Sequence, residues 1–244
     1  MSIFSKIKTK KKIEKAKEIG KIVAVSAVVS LVISCLTSRG SLSKRDIEKD
    51  PKFIVDAIAK MYQQEQQKQQ KEASKKAPEV AKEIVKTSKS VLGNKDGSQV
   101  IVEFFDYNCG HCKRQSREFK NLLAENKNVK LVLVDLPILS QNSLLAAQVG
   151  IYIALNENSK LDKYYDELSK HPADLLTIKN VLKKLKISES IIEKAKKDEK
   201  VKSVIEQNYA YAKEIGVQGT PALIINGKFV GGMVSANDIS SMLK

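Results

Sequence analysis

Tryptophan is absent from the 244 residues, and aromatic residues make up only 5% of them. A folded interior must therefore be built from isoleucine, valine and leucine rather than from large rings. Cysteine is scarce and odd in number, at Cys35, Cys109 and Cys112. That count excludes a small disulfide-dense scaffold. Histidine is scarcer still, with His111 and His171 alone. A structural zinc site closes on four ligands. Beside a Cys109–Cys112 pair, the only further cysteine or histidine is Cys35, His111 and His171. Cys35 lies in a segment that departs with a signal or stays in a membrane, so no metal is expected. The net charge of +15 also lacks the arrangement that nucleic acids require. Lysines interleave with Glu and Asp along helical stretches, and no basic stripe carries interleaved aromatics. No nucleic-acid partner is expected.

What is present begins with a basic N-terminus. Residues 1–21 hold eight lysines against two glutamates, a net of +6. An uncharged stretch of 17 residues follows, from Ile22 to Ser38. A basic region followed by a short apolar run is the pattern of an export signal. It is at the short edge of a membrane-spanning helix, which needs about 20 residues. Residues 1–38 are therefore expected to be a signal peptide or membrane anchor. Cys35 follows Val32-Ile33-Ser34, which resembles the bacterial lipobox, and is a candidate for lipidation. A lipoprotein, a cleaved signal and a retained anchor all place the rest of the chain outside the cytoplasm, where disulfides form and persist. The expected location is the periplasm or cell envelope of a bacterium.

A helical stalk is expected over 46–86. Asp50-Pro51 is a helix start, and Phe53, Ile54, Ala57, Ile58 and Met61 recur at helical steps as one apolar stripe. A Gln-rich stretch follows Tyr62, and Ala77-Pro78 predicts an interruption before a second short helix over Glu79–Lys86. A stripe of this kind needs a partner, either the chain's own domain or another copy. A homo-oligomer through residues 50–70 is expected.

The globular unit is expected over 88–244. Val100–Phe105 predicts a buried strand with one acid, Glu103, sharing a face with Phe105. Residues 110–126 predict a helix, and Val129–Val134 a second strand, together a parallel βαβ unit. Residues 141–215 are helical in pattern, ending at Gly216. Ala222–Ile225 and Lys228–Val230, joined by Asn226-Gly227, predict a hairpin, and Ser235 caps a last helix. The fold class is α/β: a thioredoxin-like core carrying an inserted helical domain over about 141–215.

The chemistry centres on Cys109-Gly110-His111-Cys112. At a helix start the unpaired backbone N–H groups and the dipole favour a thiolate on the first cysteine. The second, three residues on, shares the first turn and can attack a mixed disulfide at the first. His111 can add positive charge or a hydrogen bond, and Lys113 and Arg114 a further positive field. A half zinc site and a structural disulfide are the competing readings; a three-residue loop gains little from a crosslink. Glu103 is either an edge or surface position, or a buried acid that moves protons for Cys112. Pro221 follows Thr220 at the start of a strand, where trans-proline is tolerated.

Phe104–Arg114 and Val217-Gln218-Gly219-Thr220-Pro221-Ala222 resemble the two signature segments of DsbA-family thiol–disulfide oxidoreductases, with the helical block between them matching the family's inserted domain. The resemblance covers about Ser90 to the C-terminus. It implies that Cys109 is the nucleophile and Cys112 its buried partner, that Pro221 is a cis-proline beside them with Thr220 before it, and that Glu103 is the family's buried acid. It implies no cofactor, exported cysteine-containing proteins as substrates, and a membrane redox partner. The stalk resembles the oligomerising arm of the branch with suppressor-of-copper-sensitivity isomerases and bacterial surface DsbA-like antigens. The dipeptide is Gly-His rather than the Pro-His of the strongest oxidases, and Gly-His is shared with disulfide isomerases. The expected activity is protein-disulfide oxidation, with isomerisation or reduction by an oligomer as its alternative. A non-catalytic envelope protein and a copper-binding carrier are more distant readings.

Overall fold

A computed structural model describes residues 51–244. The signal or anchor expected over 1–38, with Cys35, lies outside the described residues. The chain divides into a unit that ends at Gln64 and a compact unit, Glu65–Lys244. Among the described residues no helix is long and apolar enough to cross a membrane.

Helix α1, Pro51–Thr87, runs through Pro78 without the break that the sequence predicts. A proline inside a helix removes one backbone hydrogen bond and costs about 3 kcal/mol or more. Packing outweighs that cost. Ala73, Ala77, Val80, Ala81 and Ile84 are buried at helical spacing, while Pro78 is exposed. Burying a side chain such as Val80 or Ile84 is worth about 1.5–3 kcal/mol each. Ala77, Val80, Ala81 and Ile84 join Val102, Phe104, Val132, Val134 and Ile224 in one apolar cluster. The core thus reaches back into the stretch that the sequence assigns to the stalk. In the first unit, Val55, Ile58, Met61 and Tyr62 are exposed.

The sheet has five strands in the order β1-β3-β2-β4-β5: β1 Val91–Gly93, β2 Gln99–Phe105, β3 Val129–Asp135, β4 Ala222–Ile225 and β5 Lys228–Gly231. Strands β2 and β3 are parallel and the other pairs antiparallel. The sequence misses β1, whose three residues are too few to show alternation. The hairpin turns at Asn226 (φ 47°) and Gly227 (φ 78°), the left-handed pair that a two-residue turn requires.

Strand β2 is central, and its alternation separates two interiors. Val102 and Phe104 face the cluster that holds α1. Ile101 and Phe105 face a larger cluster with α2 (Gly110–Glu125) and α8 (Ala236–Met242). The insertion between β3 and β4 comprises α3 (Gln141–Asn156), a short 3-10 turn, α4 (Leu161–Leu168), α5 (Leu175–Lys184), α6 (Ile191–Lys197) and α7 (Glu199–Glu214). Ser140, Asp174 and Asp198 cap α3, α5 and α7 with side-chain oxygens. The Asp198 cap divides the single helix that the sequence predicts after Ser188 into α6 and α7. Gln115 of α2 bonds both backbone groups of Val234, at 2.7 and 3.0 Å, fixing the chain between β5 and α8.

Because Ile84 is 2% exposed in the sheet-facing stripe of α1, Ile84→Ala is expected to cost about 2–5 kcal/mol. Urea unfolding followed by circular dichroism measures it. An unchanged midpoint would remove α1 from the core.

Candidate active site

The site forms where β2 ends and α2 begins. Cys109 occupies the N-cap of α2 in extended conformation (φ −73°, ψ 119°), so the first free N–H groups of the helix gather around its sulfur. Its own N–H donates to the Asp106 carbonyl at 3.0 Å, and its carbonyl accepts from Lys113 N at 3.1 Å. Cys112 lies one turn on, more deeply buried, and both are free thiols. The chain returns at Thr220-Pro221, whose peptide bond is cis, and the Cys109 thiol donates to the Thr220 carbonyl at 3.1 Å. Residues 111 positions apart thus meet at one sulfur.

The surroundings push the two thiols in opposite directions. Burial pushes Cys109 upward, but the Thr220 side chain, the Cys112 backbone N–H and thiol, and the His111 backbone N–H together bring it below an ordinary thiol. Burial pushes Cys112 far upward, and the charges of Glu103 and Cys109 add to that. Of the two contributions expected of His111, positive charge or a hydrogen bond, the hydrogen bond is present and comes from its backbone N–H. Its ring is exposed and lies 2.8 Å from Arg114 Nη2, so the backbone rather than the imidazole serves the sulfur. Lys113 donates to the His171 carbonyl at 2.5 Å.

Glu103 is fully buried in β2, between Leu133 and Leu223 of the neighbouring strands. That removes the edge or surface alternative. Its Oε2 accepts from the Tyr165 hydroxyl at 2.8 Å, and Oε1 has no partner. Burial raises the carboxyl to about 8, despite the Tyr165 bond. A crevice with room for about one water opens beside Cys112, lined by Tyr107, Lys113, Ser116, Tyr165 and Ser169.

Three residues that the sequence did not single out hold the site in place. Asp106 is buried; its Oδ1 accepts from Asn108 N at 2.7 Å, and its Oδ2 from Ile138 N and Leu139 N at 2.9 and 3.0 Å. It joins the loop before Cys109 to the loop after β3. Asn108 accepts from Ala173 N at 2.8 Å and donates to Ala173 O at 3.3 Å, tying that loop to the insertion. Tyr165 arrives from α4, 62 positions from Glu103. The Asp106–Asn108 spacing is the signature of an Asx turn and was available in the sequence. The pairings to Ala173 and Tyr165 had no local signal.

The buried acids make stability depend on pH. Glu103 rises from an ordinary 4.5 to about 8 in the fold. Asp135, buried at the end of β3, rises from 3.8 to about 8 through burial, helped by Asp106 and opposed by its own backbone N–H. A raised acid stabilises the fold fully below its unfolded value, and that stabilisation is lost as pH climbs to the folded value. In the disulfide form, where neither cysteine titrates, melting temperature is expected to fall between about pH 5 and 8. With Glu103 and Asp135 both raised to about 8, Glu103→Gln should make that fall shallower. Thermal melts across that range check it, and an unaltered slope would contradict a protonated Glu103.

The family model described as thioredoxin matches residues 85–244. A Bacillus anthracis protein named "Probable disulfide bond formation protein D" is 24% identical over 155 residues, 58% of this chain and 71% of its own. The structure of the thiol-disulfide exchange protein alpha-DsbA2 from Wolbachia pipientis is 25% identical with a TM-score of 0.63, covering 72% of this chain and 94% of that one. The structure of Salmonella enterica Typhimurium BcfH covers 93% of this chain and 98% of its own with a TM-score of 0.64; at 20% identity it bears on the fold alone. With its strand order, its CxxC at the start of α2 and a family match over residues 85–244, the chain belongs to the thioredoxin family.

Proposed function

We propose that the chain is a protein-disulfide oxidoreductase that forms disulfide bonds in exported proteins through Cys109 and Cys112. The carrying observation is the unequal pair: Cys109 at the N-cap of α2 with its sulfur 3.1 Å from the Thr220 carbonyl, and Cys112 buried one turn later. The Bacillus relative's name refers to disulfide bond formation and the Wolbachia protein's to thiol–disulfide exchange, which supports the same reading.

In the oxidising direction the pair begins as a disulfide. A substrate thiolate attacks Cys109 Sγ; a substrate–Cys109 bond forms and the Cys109–Cys112 bond breaks. Cys112 departs as a thiolate and takes a proton from Glu103, which carries one at neutral pH with its carboxyl raised to about 8. A second substrate thiolate attacks the substrate sulfur of the mixed disulfide. The substrate disulfide forms, and Cys109 leaves as the thiolate that its surroundings favour. The two electrons stay on the pair until an oxidant, expected to be a membrane redox partner, removes them. Thr220 and Pro221 border the sulfur under attack and position the incoming chain. The basic and apolar segment 1–38 and Cys35 support a location in the periplasm or envelope.

Cys109→Ser is expected to reduce exchange with a reduced unfolded substrate to background. Cys112→Ser offered a disulfide-bonded substrate should instead accumulate the Cys109–substrate mixed disulfide on non-reducing gels, because Cys109 attacks the substrate disulfide, one substrate sulfur leaves as a thiolate, and no second thiol remains to resolve the bond. A Cys109→Ser protein that folds and still oxidises substrate would reject the mechanism.

The alternative, isomerisation or reduction by an oligomer, draws on Val55, Ile58, Met61 and Tyr62, exposed within the 50–70 segment proposed to associate. Light scattering on the full chain and on one lacking residues 1–64 distinguishes them. Oligomerisation through this segment predicts that mass per particle falls to one chain on deletion, and equal subunit numbers reject it.

A further inference from the structure

One buried acid plays no part in the exchange steps above. Asp135 ends β3, is 3% exposed, and its Oδ1 has no hydrogen-bond partner. Its register places it opposite Phe105, two positions beyond Leu133, which lies opposite Glu103. Both acids therefore share the sheet face that α2 covers. From strand spacing and rise, diagonal neighbours of this kind lie about 8 Å apart. In a dry interior, charges at that distance interact strongly.

Tyrosines, not cations, surround the pair. Tyr107 packs edge-on against Phe105, Tyr164 and Tyr165, with ring centres 4.8–6.4 Å apart. Its hydroxyl is buried without a partner, against α3 where Gly150 leaves room; a Cβ there would lie 2.6 Å from that oxygen. Tyr164 donates to the Ala146 carbonyl, and Tyr165 to Glu103. The other ionisable groups acting on the acids are Asp106 on Asp135 and Cys109 on Glu103; Glu103 in turn acts on Cys112. Neither acid forms an ion pair among the described residues, so each sheds its own charge only by holding a proton.

We propose that Asp135 is a positioning residue for disulfide exchange, coupled electrostatically to Glu103 so that Glu103 keeps its proton until Cys112 leaves as a thiolate. The inference rests on the exchange reading above. When Glu103 gives its proton to Cys112, an O–H bond breaks and an S–H bond forms, and the Glu103 carboxylate appears beside Asp135. A charged Asp135 opposes that carboxylate, and a protonated one accommodates it. The pair therefore titrates as a unit. The path back to solvent runs by Tyr165, which bonds Glu103 and lines the crevice beside Cys112.

Carbon-13 titration of the Glu103 carboxyl in the reduced protein tests the coupling. Asp135→Asn keeps the shape and removes the charge, so the Glu103 midpoint is expected to fall by about one pH unit. Asp135→Ser serves if the amide perturbs folding and should move it the same way. The pH profile for Cys112 attack on a glutathione mixed disulfide at Cys109 should shift down equally, and Asp135→Asn should add no shift in a Glu103→Gln background. A Glu103 midpoint unmoved by either variant overturns the proposal, even in a fully active enzyme. So does an equal shift in the Glu103→Gln background. A folded wild-type protein without exchange activity instead overturns the reading on which the proposal rests, whatever Glu103 does.

Discussion

Everything in this fold depends on solvating two identical side chains differently at a separation of one helical turn. A thiol and a thiolate differ by one charge, and only the surroundings can decide which cysteine bears it. Cys109 has the free end of α2 and the Thr220 side chain; Cys112 has the interior, with Glu103 behind it. The rest of the architecture serves that contrast. Strand β2 delivers Cys109 to the helix start, β4 delivers Thr220 from the far side of the insertion, and α4 delivers Tyr165 to the acid.

The cost of the arrangement is concentrated in one layer. Glu103, Tyr107 and Asp135 each leave a buried oxygen without a partner, and an unmet buried polar atom typically costs about 1–3 kcal/mol. The apolar interiors on both faces of the sheet offset this. They contain no tryptophan and rely on aliphatic side chains, with Phe105, Tyr107, Tyr164 and Tyr165 gathered around the acids. The polar layer is therefore a local defect in an otherwise dry core, beside the reacting sulfurs, where such defects are tolerated for function.

Much of this was legible in the sequence because the signals are local. The CxxC at a strand end, the Asn226-Gly227 turn, the Ser235 cap and the alternation around Glu103 depend on near neighbours only. What failed depended on distant ones. Pro78 argued for a helix break, and the sheet face against which Ala77 and Ile84 pack overrode it. The cis bond at Pro221 was implied by resemblance alone. His111 carried the chemistry usually assigned to an imidazole in the sequence, yet its contribution comes from a backbone N–H that any residue has. Asp135 was invisible because nothing in Val132-Leu133-Val134-Asp135 distinguishes a strand's last buried residue from a solvated turn.

The double hydrogen bond from Asn108 to Ala173 has a consequence for how the molecule breathes. The residue before the reactive cysteine is fastened to the backbone of the insertion, which makes the two parts one cooperative opening unit. A fluctuation that lifts the α4–α5 region also frees the loop before Cys109, disturbing the donors at its sulfur. Redox poise in this chain is thereby tied to the local melting of helices that lie more than 45 residues beyond either cysteine in the sequence.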